Sequence, residues 1–133
     1  MPQFYPEHTP DGLDDFTKGY LDCAEWLIPE PSNDCPNITT REKIRGWTKK
    51  AIARAKRDCM DFQKAYAADL ALYEEITGRD MRSAGHDFWL TRNRHGAGFW
   101  DRGAGEAGKR LTEMSRPYGD CDVDPYKGWL HLT

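Results

Sequence analysis

The chain has 133 residues, a formal net charge of −3 and 31% charged residues, which is the size of one domain that can bury a modest core. This charge balance carries no polyanion-binding signature over the chain as a whole. No apolar run approaches the ~20 residues that a membrane-spanning helix requires, and the first residues lack the basic and apolar segments of a signal peptide. We therefore expect one cytoplasmic domain over residues 1–133, without membrane association.

The N-terminal part predicts an extended arm followed by a helix. Residues 1–10 contain three prolines and form the arm. Asp11 is a candidate N-cap for the first helix, in which apolar residues recur every three or four positions as far as Leu27. Pro29 then ends the helix.

A second helix is predicted over residues 40–77. Thr39 and Glu42 have the spacing of a capping box at its start, and one apolar stripe continues along its length. At 1.5 Å per residue such a helix would be about 57 Å long, which one small domain cannot cover. We favour a break around residues 57–61. The alternative is a projecting helix that forms an antiparallel homodimer through a stripe consisting of Ile44, Trp47, Ala51 and Ala55.

The pattern changes within residues 85–103, which read GHDFWLTRNRHGAGFWDRG. Alternation over residues 88–93 predicts a strand, residues 98–100 a second short strand, and residues 127–132 a last strand. Asp101 is a candidate N-cap for a third helix that ends near Met114. The predicted fold is α+β, with N-terminal helices, one of them long, packed on a small antiparallel sheet with a C-terminal helix and strand.

The same stretch has the composition of a binding surface. Adjacent strand residues point to opposite faces, so one aromatic of each pair, Phe88–Trp89 and Phe99–Trp100, should enter the core while the other packs across strands or stays exposed. An exposed tryptophan among arginines is typical of a binding hot spot. We therefore predict a non-enzymatic binding module without a cofactor. Its predicted contact residues are Trp89, Arg92, Asn93, Arg94, His95, Trp100 and Arg102.

A metal-dependent phosphoesterase or nuclease is the alternative. It would use His86, Asp87, His95 and Asp101, because histidine and carboxylate ligands bind zinc or manganese. His86 and Asp87 would point to opposite faces of a strand, which favours His86, His95 and Asp101 as the ligand set. We prefer a structural role, in which Asp101 caps a helix and Asp87 pairs with Arg92 or Arg102.

Nucleic-acid binding is the second alternative. Residues 41–57 hold eight basic residues and one acid, and residues 58–80 hold six acids. Cations at the start of a helix oppose its macrodipole, which suggests that this end meets an anion. In addition, residues 103–108 read G-x-G-x-x-G. Too few residues follow for a dinucleotide-binding fold, which leaves a helix start, flanked by Arg102 and Lys109, that could hold one phosphate.

Residues 85–103 resemble a family of small bacteriophage and prophage proteins whose signature reads GHDFWLTRNGHGAGFWDRG. Residues 16–27, FTKGYLDCAEWL, are similar to the family's Phe-x-x-Gly-Tyr-x-x-Cys-Ala segment. The family has no assigned activity. The resemblance implies a viral accessory protein in the cytoplasm of a bacterial host, with a host or viral macromolecule as partner; interference with host defence is one function consistent with that origin.

The chain departs from the signature at Arg94, where the family has glycine. Arginine disfavours the positive φ that a two-residue type I′ turn needs. We therefore expect a four-residue turn through Arg94, His95 and Gly96.

Overall fold

The computed structural model describes residues 8–28 and 44–133 and confirms the α+β class. Within these ranges no helix is long and apolar enough to cross a membrane. The helices are α1 (Asp15–Trp26), α2 (Lys49–Ala65), α3 (Ala67–Thr77), α4 (Met81–Arg92) and α5 (Glu106–Ser115), with 3-10 helices at Phe99–Asp101 and Arg116–Tyr118; the strands are β1 (Gly46–Trp47), β2 (Val123–Tyr126) and β3 (Trp129–Leu132).

The first helix was predicted correctly except for its cap. α1 is capped by Asp14, whose carboxylate accepts a hydrogen bond from the backbone N–H of Thr17 at 2.8 Å, and not by Asp11. Of the predicted arm, residues 1–7 lie outside the described ranges. The next two residues of the arm contact α1. His8 forms a hydrogen bond with Glu25 at 3.1 Å, and the Thr9 hydroxyl donates to Asp22 at 2.6 Å.

The predicted long helix is two helices. Thr39 and Glu42 lie outside the described residues. Helix α2 begins at Lys49, and Thr48 is its N-cap, because the Thr48 hydroxyl accepts a hydrogen bond from the N–H of Ala51. The chain turns at Tyr66, with φ −124° and ψ 31°, so the break was predicted correctly but its position was wrong. The reversal of charge imposes no bend on the backbone. The bend lies where the apolar residues of α2 and α3 must face the same core.

The stripe that we assigned to a homodimer is covered by the chain itself. Ile44, Trp47, Ala51 and Ala55 are all buried in the core of this one chain. Trp47 belongs to β1, outside any helix, and pairs with Leu130 of β3. These four side chains are therefore not an apolar surface for a second copy.

In the stretch 88–93, predicted as a strand, residues 88–92 belong to helix α4 and Asn93 is its C-cap. Helix α4 crosses α1 in backbone contact. A methyl group on Gly85 would overlap the carbonyl oxygen of Phe16, and one on Gly19 would overlap that of Arg82. Phe88 and Trp89 are both buried against α1, since Phe88 packs on Phe16 and Trp89 packs on Tyr20. A helix covered on two sides mimics strand alternation over a few residues.

The sheet is mixed and lies at other positions than predicted. Its order is β1-β3-β2, with β1 parallel and β2 antiparallel to β3. β3 matches the predicted last strand, whereas β2 was missed and residues 98–100 enter a 3-10 helix. Lys127 and Gly128, both at positive φ, join β2 and β3 as expected for a two-residue hairpin turn. α5 starts at Glu106, so Asp101 is not its cap.

Stacked aromatic rings at the centre of the core hold part of the segment 85–103 in place. The Phe62 ring lies 4.3 Å from that of Phe88 and 5.9 Å from that of Phe99, centroid to centroid. All three side chains are fully buried. Because Phe88 lies on α4 and Phe99 in the 3-10 helix, this stack holds the segment between them, residues 89–98, against the core.

Candidate functional site

The end of α4 has the hydrogen bonds of a Schellman motif. The N–H of Arg94 donates to the carbonyl of Thr91 at 3.1 Å, and the N–H of His95 donates to that of Leu90 at 2.9 Å. Arg94 has φ 58°, the left-handed conformation that glycine adopts most easily at this position. Our expectation that arginine avoids positive φ here was therefore wrong. A helix ends at this point, so the expected four-residue turn is absent.

A surface cavity of about 770 Å³ lies between the end of α4, the 3-10 helix at 99–101 and α5. Four of the seven predicted binding residues line it, namely Arg92, Arg94, His95 and Trp100. From the α5 side it is lined by Lys109, Thr112, Glu113 and the following Arg116. Sequence reasoning missed the last three. They follow Lys109 by three, four and seven residues, a spacing that places them on one helix face, and this is the signal that could have identified them.

Three cations at the cavity are exposed and largely free of protein partners. Within the described part of the chain, Lys109 and Arg116 form no ion pair, and Arg94 has one, 3.6 Å from the exposed Asp120. An exposed pair of this kind contributes little. Glu113 is the carboxylate among the residues that line the cavity. The surface is therefore predominantly cationic, with one negative group within it.

Trp100 gives the cavity an exposed aromatic face. Its side chain is 45% exposed, while the adjacent Phe99 is fully buried, so the prediction for this aromatic pair is confirmed. The Trp100 ring lies against Gly98, where a methyl group would overlap it. For the other pair, Phe88–Trp89, the prediction was wrong because both members are buried.

Arg92 is a buried structural residue at the base of the cavity. Its guanidinium donates to the Tyr20 hydroxyl and Asp58, each at 2.9 Å, and to the carbonyls of Tyr118 and Gly119. Although burial acts to lower the pKa of Arg92, the contacts with Tyr20 and Asp58 raise it above its usual value. Arg92 is thus a charged link between α1, α2, α4 and the C-terminal segment.

Trp89 and Asn93 also have structural roles and do not line the cavity. The Trp89 ring meets that of Tyr20 edge-on, with centroids 5.1 Å apart. The Asn93 amide donates to the Trp89 carbonyl at 2.9 Å and accepts from the N–H of Cys121 at 2.7 Å. Both residues fix the end of α4.

Asp87 is a fully buried carboxylate with three partners. Arg102 donates to it at 2.9 Å and Arg79 at 3.0 Å, and the Tyr73 hydroxyl is the third donor. Burial, together with this bond to Asp87, raises the pKa of Tyr73. The predicted pairing of Asp87 with Arg102 is confirmed, whereas Arg92 pairs with Asp58. Arg102 therefore stabilises the fold and does not line the cavity.

The metal hypothesis has no support in this geometry. Among the residues that the structure describes, no three His, Cys, Asp or Glu side chains lie close enough together to hold a metal ion. Burial lowers the pKa of His86, whereas His95 and Asp101 are exposed. Asp87 is surrounded by arginine and tyrosine donors. The structure does not bring these four residues together as ligands.

The glycine-rich segment at 103–108 leads into the start of α5. Gly105 is the N-cap, with φ 61°, and no side chain caps the helix. Gly105 also lines the cavity, as does Lys109 one turn later. Of the two cations predicted to flank the helix start, Lys109 lies beside it. Arg102 instead forms an ion pair with Asp87.

The basic segment at 41–57 is described from residue 44 onward. Arg45, Lys49, Lys50 and Lys56 are exposed, and within the described ranges they form no ion pair. Arg57 pairs with its neighbour Asp58 at 3.2 Å. This part of the chain is a second cationic surface, carried by β1 and the first half of α2.

No protein-family model, curated protein or solved structure matches the chain. The resemblance of residues 85–103 to phage proteins stays a prediction, and the cavity is the structural feature that bears on function. A concave surface with three exposed cations and an exposed indole can hold an anionic group.

Proposed function

We propose that this protein is a non-enzymatic binding module that holds an anionic part of a host or viral macromolecule in the cavity. The observation that carries this proposal is the grouping of Arg94, Lys109 and Arg116 with the exposed Trp100. Arginine and tryptophan dominate binding hot spots. The resemblance of residues 85–103 to phage proteins supports the cytoplasm of an infected bacterium as the place of action, and interference with host defence is one function consistent with that origin.

The backbone of Arg94 supports a role for its side chain. A left-handed conformation costs a non-glycine residue about 1–2 kcal/mol, and residues held in this way cluster at functional sites. Among the described residues, its 82% exposed side chain forms one weak pair, with Asp120, which offsets little of that cost. Contact between the Arg94 side chain and a ligand would explain why an arginine occupies this strained position.

A matched pair of tryptophans tests the proposal. Trp100 and Trp129 are 45% and 43% exposed, but only Trp100 lines the cavity. Immobilised protein should retain a partner from a bacterial lysate at low salt. The partner should be lost with Trp100→Ala and with Lys109→Gln, and kept with Trp129→Ala.

Two results would contradict this proposal. The first is equal retention of the partner by Trp100→Ala and wild type. The second is turnover of a nucleotide or polynucleotide by the purified protein with no partner retained, which would assign an enzymatic function instead.

A second candidate function is nucleic-acid binding through the basic surface of α2. Lys49, Lys50 and Lys56 support it, because they are exposed and form no ion pair with any residue that the structure describes. Contacts to phosphates release counterions, so the affinity for a DNA duplex should fall by roughly one power of salt concentration per phosphate neutralised. An affinity that stays flat between low and moderate salt would rule it out.

A further inference from the structure

The cavity combines three chemical features that suit different parts of one ligand. Exposed cations suit a phosphate, the face of Trp100 suits a flat ring, and the carboxylate of Glu113 accepts hydrogen bonds from hydroxyl or amino groups. A nucleotide carries all three complementary groups. We propose that the cavity holds a nucleotide unit, an inference that rests on the proposed function and names its ligand class.

The start of α5 and Lys109 form the end of the cavity suited to phosphate. Gly105, the N-cap of α5, lines the cavity and has no side chain that would obstruct an anion there. Lys109 adds a positive charge one turn further on. Glu106, at the first position of the helix, is exposed but does not line the cavity, so it does not oppose an anion inside it.

Glu113 favours a nucleotide over an acidic peptide. It lies one turn after Lys109 and about 6 Å further along α5, and both residues line the cavity. A peptide with several carboxylates would meet repulsion at Glu113. A nucleotide has its negative charge at one end and uncharged hydroxyl and amino donors beyond it, so it can place its phosphate at Lys109 and a donor at Glu113.

Trp100 is preorganised for stacking. Gly98 leaves room for its ring, and burial of the adjacent Phe99 fixes the backbone beneath it. Bases stack on exposed aromatic rings regardless of sequence. A volume of about 770 Å³ lies within the range of small-molecule sites and leaves room for one nucleotide. Its source would be a free mononucleotide or one unit of a single strand.

Isothermal titration calorimetry with separate probes tests this inference. Adenosine 5′-monophosphate should bind, and adenosine and ribose 5-phosphate should each bind at least about tenfold more weakly, because each lacks one of the two recognised groups. Trp100→Ala and Lys109→Gln should weaken binding of the mononucleotide about tenfold. Trp129→Ala and Lys64→Gln, at exposed positions outside both the cavity and the basic surface of α2, should leave it unchanged. Circular dichroism checks that each variant is folded.

An oligodeoxyadenylate and hexaglutamate separate the remaining outcomes. Tighter binding of the oligonucleotide than of the mononucleotide, still dependent on Trp100, identifies a single strand as the source; the reverse order identifies a free nucleotide. Oligonucleotide binding that Trp100→Ala leaves intact overturns the inference. Lys109-dependent binding of hexaglutamate alone overturns the inference but keeps the proposed function. Failure of every probe, together with failure to retain a partner, overturns both.

Discussion

Arg94→Gly should make the protein more stable and its binding weaker. Arg94 is at φ 58°, and both hydrogen bonds that end α4 use backbone atoms, so glycine keeps them. The substitution relieves about 1–2 kcal/mol of left-handed strain. It also removes the exposed pair with Asp120, worth a few tenths of a kcal/mol at most.

Glycine also gives the unfolded chain more freedom, which opposes about 0.4–1 kcal/mol of the gain. The net expectation is a rise of about 0.5 kcal/mol in the free energy of unfolding, or roughly 2 °C in Tm for a chain of this length. Urea unfolding and calorimetry of the ligand-free protein measure the stability. Binding of the retained partner measures the function, and it should weaken about tenfold because a hot-spot arginine is lost.

Lys127 supplies the control. Within the described ranges it is the other non-glycine residue at positive φ, with φ 51°, and it does not line the cavity. Lys127→Gly relieves similar strain but loses a cation–π contact with Tyr126, so its stability should stay within about 0.5 kcal/mol of wild type. Its binding should be unchanged. A destabilised Arg94→Gly protein would refute the strain argument, and one that binds like wild type would refute the contact assigned to Arg94.

Three further predictions concern the scaffold. Gly85→Ala should lower the free energy of unfolding by about 3 kcal/mol or more, because the added methyl group overlaps the backbone of α1. Gly96 is exposed with open space around it, so Gly96→Ala should change this free energy by less than about 0.5 kcal/mol. Similar values for the two variants in urea titrations would contradict the crossing of α1 and α4. Asp87→Asn should lower the free energy of unfolding by about 3–5 kcal/mol, since it leaves two arginines beside an uncharged buried group. Asp69 forms a partly exposed pair with Arg110, so Asp69→Asn should lower it by at most about 1 kcal/mol. Equal losses of stability in calorimetry would argue against the Asp87 cluster. Asp80→Ala should cost about 1 kcal/mol at neutral pH through loss of the α4 cap. Hydrogen bonds from Ser83 lower the pKa of Asp80, so this stabilisation is complete above the unfolded pKa of about 3.9 and is lost as the pH falls through the lower folded value; a difference from wild type that persists in full at pH 2 would contradict the ionised cap.

Three of the predicted binding residues contribute exposed side chains to the cavity, and the other four bond or pack within the protein. The excess of Arg, Asn, His and Trp in residues 85–103 drew attention to this segment, and Arg94, His95 and Trp100 do line the cavity. Arg92, Asn93 and Arg102 instead bond within the protein. Composition cannot separate a cation that faces a ligand from one that pairs with a buried carboxylate, because that depends on which distant residue lies opposite.

The sequence by itself determined what depends on neighbours along the chain. Periodicity identified α1, and alternation identified β3. The α+β class followed from these local signals, although α2 and α3 were predicted as one helix and most of the end of α4 as a strand.

Only the tertiary structure decided what depends on partners far along the chain. Residues 88–93 alternate like a strand, yet they form a helix because Gly19 and Gly85 let α1 and α4 meet backbone to backbone. The cavity likewise arises where α5 brings Lys109 and Arg116 beside Arg94. Burial and charge pairing across such distances select among conformations that the local sequence leaves nearly equal in free energy.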